Sequence, residues 1–406
     1  MKRMSGKWTG RILRALMLAG FALGLAGNLA AAPVEIGGTP SPLKSNSEEM
    51  ISLRHQDHMW EAANGETYLV INRGLQASQG SLQLYSTPDQ GLSWFPGPRL
   101  PGSDRNAFSD GYLDGNILYL TYTNTAGQVV FTALQRNATA EPRWTTLWSD
   151  IAFSSPDTRA ANPAMAVDAT GTIWLAFVAQ DLATGDYSIK MVRNTSREGG
   201  WVDTGLTFGD IGSGEVSRRS ARPVATATGM GMIYSVHDDF FWAMRENGSD
   251  PDAPWTSQLL FTSHAGDSDP YASHFSVVAD AQNYIHMSFS DGQRVGYIRI
   301  DATTGQWASK WLSGIHGTVF LQTSVVASDI IVAANVYDNI WIYRSVDGGT
   351  TFTAPFKLVH PAPGSGVSYQ TPRVETASHS TGPLLVFQQY VDNNVQRLLL
   401  FNVPLP

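Results

Sequence analysis

The chain has 406 residues, of which 43% are hydrophobic and 11% aromatic, and it contains no cysteine. This composition excludes a disordered chain, a collagen-like chain and a disulfide-held scaffold, and the length is sufficient for a large core. Five of the 27 basic residues lie within residues 1–32, so the rest of the chain carries 22 basic against 35 acidic residues. This acidic excess argues against nucleic acid or an anionic membrane as a partner, because both attract clustered Lys and Arg.

Residues 1–32 have the pattern of a secretory signal peptide: a basic start, the apolar run Ala15–Leu25, and small residues up to Ala32. The apolar run is shorter than the ~20 residues that span a bilayer, and no later segment approaches that length. The alternative is an N-terminal anchor helix. We expect an exported protein, periplasmic or extracellular, with no membrane span after signal removal.

The remainder, residues 33–406, reads as one domain built from a repeated unit of several short strands. The two clearest copies begin at Asn162 and His274. Comparable units begin near Arg54, Asn106, Arg222, Gln322 and Gln370, which makes seven. Their spacing of about 50 residues is typical of a four-stranded propeller blade. The sequence therefore predicts an all-β fold, a seven-bladed β-propeller.

The last repeat lacks its outermost strand. Residues 33–40 resemble the fourth-strand segments of other repeats, so we expect this N-terminal strand to complete the last blade and remove an open edge. The predicted blades cover residues 51–103, 104–158, 159–215, 216–268, 269–317, 318–365, and 366–406 together with 33–40.

Two turns share the pattern Ser/Thr-x-Asp-x-Gly-x-Thr/Ser-Trp/Phe. They consist of Thr87, Asp89, Gly91, Ser93 and Trp94, and of Ser345, Asp347, Gly349, Thr351 and Phe352. In such a turn the carboxylate accepts hydrogen bonds from turn amides, and the glycine tolerates a positive φ. The pattern matches the Asp box, and through it the chain resembles the sialidase-like BNR-repeat propellers. The resemblance implies a structural role for both turns, and it makes a six-bladed sialidase-like barrel the alternative architecture.

In a propeller, the starts of the first strands and the turns between second and third strands meet at one end of the channel. We therefore take the polar residues at these two positions as the site candidates. For catalysis the sequence offers Arg222, His237, Asp238, His274, Tyr337 and Arg373. For ligand binding it offers Arg54, His55, Asn162, Gln322, Gln370 and Tyr390. Polar residues also occur at strand ends simply because strand ends meet water.

The arginine and tyrosine candidates each have two interpretations. Arg222 and Arg373 either grip a substrate carboxylate or form ion pairs between blades. His237 and Asp238 suit a general acid or base, and Tyr337 suits a proton donor in eliminative cleavage or a structural phenol. No cofactor is predicted; a divalent metal on channel histidines is the minor alternative, because His55 and His58 point to opposite faces of an extended strand.

The resemblance implies a protein that acts on glycans. The Phe/Tyr-Arg-Ile-Pro motif of sialidases is absent, and no Glu stands beside Tyr337 or Tyr390, which argues against sialidase activity. The sequence leaves two hypotheses: a glycoside hydrolase or polysaccharide lyase working on an extracellular or envelope glycan, and a non-catalytic scaffold that binds carbohydrate or an envelope protein. We expect a monomer.

Overall fold

Antiparallel strands make up the regular structure of the residues that the structure describes. The computed structural model describes residues 34–35, 50–51, 55–74, 80–89, 93–104, 106–137, 139, 143–196, 199–212, 219–246, 248–262, 274–291, 293–312, 318–374, 384–391 and 394–403. Within these ranges the strands form seven four-stranded sheets, and no helix is long and apolar enough to cross a membrane. The all-β, seven-bladed prediction is confirmed, and the six-bladed alternative is not observed.

Each of the first six sheets is one blade, with four strands in chain order. Blade 1 contains β2 (Met59–Glu61), β3 (Thr67–Asn72), β4 (Leu82–Thr87) and β5 (Phe95–Arg99); blade 2 contains β6 (Asp110–Asp114), β7 (Ile117–Thr123), β8 (Val129–Arg136) and β9 (Trp144–Phe153); blade 3 contains β10 (Thr158–Val167), β11 (Ile173–Asp181), β12 (Tyr187–Asn194) and β13 (Val202–Gly212). Blade 4 contains β14 (Arg219–Thr226), β15 (Gly229–Val236), β16 (Asp239–Glu246) and β17 (Thr256–Thr262); blade 5 contains β18 (Phe275–Ala279), β19 (Tyr284–Ser290), β20 (Val295–Asp301) and β21 (Trp307–Trp311); blade 6 contains β22 (Thr318–Val326), β23 (Asp329–Val336), β24 (Asn339–Ser345) and β25 (Phe356–Val359).

Blade 7 is built from distant parts of the chain. It contains β26 (Val367–Val374), β27 (Leu384–Val391), β28 (Asn394–Asn402) and, outermost, β1 (Val34–Glu35). In the antiparallel pair of β1 and β28, Val34 lies opposite Leu400. The predicted closure by the N-terminal strand is confirmed.

A polar latch ties blade 7 to the segment that enters blade 1. The side-chain oxygen of Gln388 accepts a hydrogen bond from the Met50 amide at 2.6 Å, and its amide nitrogen donates to the Ile51 carbonyl at 3.4 Å. Met50 and Ile51 are fully buried in a cluster that also holds Leu398 of β28. The two ends of the ring are therefore joined by hydrogen bonds and by apolar packing.

Apolar residues on strand faces pack between neighbouring blades, and aromatic residues of the fourth-strand region fill these interfaces. Trp144 of blade 2 packs edge-on against Tyr68 of blade 1 at 4.8 Å between ring centroids. Trp201 of blade 3 packs on Phe131 of blade 2 at 5.1 Å. The repeated tryptophan thus joins one blade to the preceding one. Trp307, at the corresponding position of blade 5, is 37% exposed.

The first strands of blades 2 to 7 contact one another in order around the channel. Strand direction defines two ends of this channel. We call the end where the first strands begin the channel mouth, and the end where they turn into second strands the channel base. The third-to-fourth strand turns at Asp89 and Asp347 lie on the same side as the base, because every strand reverses the direction of the one before it.

Candidate functional site

Residues 55–58, which we call the plug segment, cross the channel ahead of β2. The ring of His55 stacks on Phe275 of blade 5 at 5.7 Å. The Gln56 side-chain nitrogen donates to the Pro163 carbonyl of blade 3 at 2.6 Å. Both side chains are buried. The ligand-binding candidate His55 therefore takes part in a contact that spans the channel.

Arg222 forms a buried ion triad with Asp57 of the plug segment and with Asp110. Its two terminal nitrogens donate to the carboxylates of Asp57 and Asp110, which come from blades 1 and 2. Asp110 also accepts the Met165 amide of blade 3 at 2.6 Å. Burial raises the pKa of Asp110 to about 6, opposed by the guanidinium of Arg222. Of the two alternatives that the sequence left for Arg222, the structure shows the ion pair between blades. The guanidinium binds carboxylates of the protein itself.

The other channel arginine among the candidates is also inside the protein. Arg373 in β26 is fully buried, and its Nη1 donates to the Pro372 carbonyl at 2.7 Å. The strand bulges between Gln370 and Arg373, where Thr371 has a φ of 50°. A bulge of this kind redirects the following side chain, and here the Arg373 side chain is buried.

His274 precedes β18 and is buried as well. Its ring stacks on Phe320 of blade 6 at 6.4 Å, and its carbonyl accepts the Ser290 amide at 3.0 Å. Among the ligand-binding candidates, Gln322 accepts the Val374 amide of blade 7 at 2.7 Å. His274 and Gln322 thus make contacts within or between blades.

His237 and Tyr337 occupy equivalent positions in two-residue hairpin turns at the channel mouth. The flanking pairs are Val236 with Asp239 and Val336 with Asn339. His237 has a φ of 53° and Tyr337 a φ of 50°, the left-handed conformation that such tight hairpin turns require. Tyr337 is 72% exposed, so its ring extends into solvent.

Asp338 follows Tyr337 and borders a polar groove between blades 6 and 7. The carbonyl of Asp338 accepts the Tyr369 amide at 3.2 Å, which holds the turn against the start of β26. This blade 6–7 groove has a volume of about 630 Å³. Its polar side chains are Asp338, Asn339, Lys357, His360, Ser365, Ser368 and Gln370. The groove brings together the candidate Gln370 and the turn that carries Tyr337.

Several residues of these arrangements were not among the sequence candidates. Lys357 and His360 of the groove were missed because Lys357 lies in the outer strand β25 and His360 in the Pro/Gly-rich connection that follows it. Asp110 was missed because it opens a first strand four residues after Asn106, which marked the start of its repeat. Fourth strands also end at the channel mouth, so a search that included the ends of these outer strands would have identified Lys357 and His360.

The remaining candidates are dispersed. Asn162 has a φ of 52° and lies in a bulge of β10, and Asp238 is the second residue of the His237 turn. Tyr390 is in β27, with its side chain outside the described part of the structure, and Arg54 and Gly91 also lie outside the described residues. No group of three or more His, Asp or Glu side chains suited to a metal occurs among the residues that the structure describes.

The Asp347 turn shows how the turn motif works. Asp347 accepts hydrogen bonds from the Thr351 amide at 2.8 Å, the Thr351 hydroxyl at 2.6 Å and the Ser345 hydroxyl at 2.7 Å. These bonds, led by that of the Thr351 hydroxyl, lower the pKa of Asp347 to about 2. Phe352 packs edge-on against Tyr297 of blade 5 at 4.8 Å.

The Asp89 turn has a similar set of bonds. The Asp89 carboxylate accepts the Thr87 hydroxyl at 2.9 Å, the Ser93 amide at 2.8 Å and the Ser93 hydroxyl at 2.5 Å. Trp94 is buried next to Met59, Leu69 and the blade 7 residue Leu398 in one apolar cluster. Both turns therefore fix the end of a third strand and pack an aromatic ring, Trp94 or Phe352, into or against an apolar cluster.

Comparisons with known proteins reach the level of fold. No family model and no curated protein matches the sequence. Among solved structures, the polysaccharide lyase Uly1 gives a TM-score of 0.50 at 11% identity, covering 86% of this chain and 90% of the lyase. Trypanosoma rangeli sialidase gives 0.49 at 9% identity over 75% of this chain, which spans about half (54%) of the sialidase. A fucoside complex of the Aleuria aurantia lectin gives 0.45 at 11% identity, covering 78% and 99% of the two chains. At these identities the similarity extends to the fold alone, the seven-bladed β-propeller described above, and no specific member is assigned.

Proposed function

We propose that the protein is an exported, non-catalytic carbohydrate-binding propeller that holds a glycan in the blade 6–7 groove. The observation that carries this proposal is the position of Tyr337, 72% exposed, beside a groove of about 630 Å³ with polar walls. The polysaccharide lyase Uly1, at a TM-score of 0.50, supports the fold alone.

The groove has the chemical groups that a neutral sugar needs. Sugar hydroxyls both donate and accept hydrogen bonds, and the groove offers the acceptor Asp338, the donor Lys357, and the amides of Asn339 and Gln370, which do both. An exposed tyrosine adds a flat apolar face with a polar tip, suited to the C–H face of a pyranose ring. The mixture of one carboxylate and one ammonium group does not favour a strongly charged ligand.

Binding is favoured over cleavage by the positions of the catalytic candidates. A general acid or base must come within hydrogen-bonding reach of the reacting atoms, together with its partners. Arg222 is bound to Asp57 and Asp110, and His274 is buried in a ring stack. His237 and Tyr337 occupy separate turns on blades 4 and 6. Elimination beside a uronate needs a cation that neutralises the uronate carboxylate. Arg222 does not supply this cation, because it already pairs with Asp57 and Asp110.

The experiment is a glycan array with the purified protein, followed by calorimetry on the best neutral glycan. Loss of an aromatic stacking partner costs about 1 kcal/mol, so Tyr337→Ala should weaken binding about fivefold to tenfold, and Gln370→Ala by a similar factor. Tyr112→Ala is the matched control, because Tyr112 is partly exposed at the channel base. Equal affinity of wild type and both groove variants would exclude the groove as the site.

Cleavage is tested on the same protein preparations. Sialosides and uronate polymers are incubated with wild type and with His237→Ala, and released sugar and unsaturated products are followed. We expect no turnover. Turnover that is lost in His237→Ala would replace the binding proposal with an enzyme at the channel mouth.

Export is part of the proposal and rests on the pattern of residues 1–32. Fractionation of cells that express the full chain, with N-terminal sequencing of the product, should find a processed protein outside the cytoplasm. An unprocessed chain in the cytoplasmic fraction would contradict it.

A further inference from the structure

The channel base contains a second concave site, separate from the blade 6–7 groove. It is a cavity of about 550 Å³, which we call the base cavity, lined by the ends of the first strands of blades 1 to 6 and by their turns. Its walls are mainly Val, Ala, Leu and Met side chains, with Trp60 and Tyr112. An apolar concavity of this size with few polar groups has the character of a small-molecule site.

The polar groups of the base cavity are mostly acidic. Asp57, Glu61 and Asp280 line it, and Arg222 is the one basic residue among the lining residues that the structure describes. The guanidinium of Arg222 is engaged by Asp57 and by Asp110, so the ion triad has two carboxylates for one cation. Among the described residues, the acidic side chains that line the cavity therefore outnumber the basic ones, three to one.

The ion triad favours a cationic ligand over an anionic one. An anionic head group would have to displace Asp57 or Asp110 from Arg222 and leave a carboxylate buried without its cation, which is strongly unfavourable. A cation needs no such displacement, because a carboxylate has about four lone-pair positions and accepts a further donor beside the guanidinium. The apolar walls act in the same direction, since they strengthen a charge–charge attraction by excluding water.

We infer that the base cavity binds a small organic cation, an ammonium group on a compact apolar body. The ammonium group is held at the floor by the carboxylate of Asp57, and the apolar body packs against the Val and Ala side chains of β14 and β18. Tyr112, which is 38% exposed, contributes an aromatic face to the same cavity.

The test is isothermal titration calorimetry at neutral pH with three size-matched probes: 2-phenylethylammonium, 2-phenylethanol and 3-phenylpropanoate. We expect the ammonium to bind about tenfold more tightly than the alcohol, and the carboxylate to bind most weakly. Equal affinity for ammonium and alcohol, tighter binding of the carboxylate, or no binding of the ammonium would each overturn the inference.

Two variants locate the site. Ala279→Leu fills the cavity from the end of β18, where Ala279 is half-buried, and should abolish ammonium binding without unfolding the blade. Ala308→Leu makes the same change on the exposed outer strand of blade 5 and should bind as wild type does. Asp57→Asn should lose at least tenfold in ammonium affinity, with its melting curve as the check on folding. Unchanged affinity in Ala279→Leu would place the ammonium elsewhere and refute the inference. The blade 6–7 groove opens at the other end of the channel, so a failed glycan experiment leaves this result unaffected.

Discussion

Replacing Gly349 by alanine should be among the most damaging single-methyl changes in the protein. Gly349 lies in the Asp347 turn with a φ of 84°, and a Cβ atom there would lie 1.8 Å from the hydroxyl oxygen of Tyr297. A left-handed conformation costs an L-residue about 1–2 kcal/mol. An overpacked methyl group adds about 1–3 kcal/mol. We expect Gly349→Ala to lower the free energy of unfolding by about 2–5 kcal/mol in total.

Tyr297 cannot easily move away from that methyl group. It is fully buried, and its hydroxyl oxygen lies 2.6 Å from Nδ1 of His286, whose Nε2 lies 3.0 Å from the carboxylate of Asp280. Burial lowers the pKa of His286, so the ring is neutral at pH 7. Its Nε2–H then donates to Asp280, and Nδ1 accepts the Tyr297 hydroxyl proton. A displaced tyrosine would leave a buried acceptor unpaired.

Gly348 provides the matched control, since it has a φ of 64° and no atom within 4 Å of an added Cβ. Gly348→Ala should cost only the backbone component, about 1–2 kcal/mol. Denaturant unfolding of both variants measures the difference. The double variant Gly349→Ala with Tyr297→Phe should be less destabilised than the sum of its parts by about 1 kcal/mol, because the hydroxyl is gone. Equal losses in the two glycine variants would refute the steric argument.

Three further predictions concern charge and closure. Arg222→Met should destabilise the fold by about 3–5 kcal/mol in denaturant unfolding, since it leaves Asp57 and Asp110 buried without their cation; a loss below about 1 kcal/mol would contradict the triad. Because the folded pKa of Asp347 is lowered to about 2, below its ordinary value of 3.8, the stability it contributes is present above pH 4 and is lost as the pH falls from about 4 to 2. Asp347→Asn should flatten that part of a stability–pH curve, and an unchanged slope would rule out the assignment. Gln388→Ala, which removes the latch to Met50, should cost about 1–3 kcal/mol by the same unfolding assay, whereas a neutral effect would show that apolar packing alone joins the ring ends.

The repeat period and the two Asp turns were sufficient to predict the fold, including the seven blades and the strand that completes the last one. Both features are local: a strand–turn–strand pattern is visible within ten residues, and the closing strand follows from a missing copy of that pattern. The same reasoning placed His237 and Tyr337 correctly in second-to-third strand turns. It did not show where their side chains point, because that depends on the turn conformation.

The partners of Arg222 could not be found in this way. Asp57 and Asp110 lie 165 and 112 residues away in the chain, on blades that meet Arg222 only inside the closed ring. A period of about 50 residues indicates how many blades there are, but it does not indicate which side chains reach into a shared interior. The groove residue His360 illustrates the same limit, because its role depends on the neighbouring blade.

Among the seven sheets that the structure describes, the seventh blade alone pairs strands from almost opposite ends of the chain, with Val34 opposite Leu400. Closing so long a loop gives contacts that form late and slowly, after the six local blades are in place. Until then the molecule is an open arc with an unpaired strand edge, a surface prone to pairing with other chains. A chain that lacks β28 has no partner strand for β1, so we expect its seventh blade to keep an open strand edge.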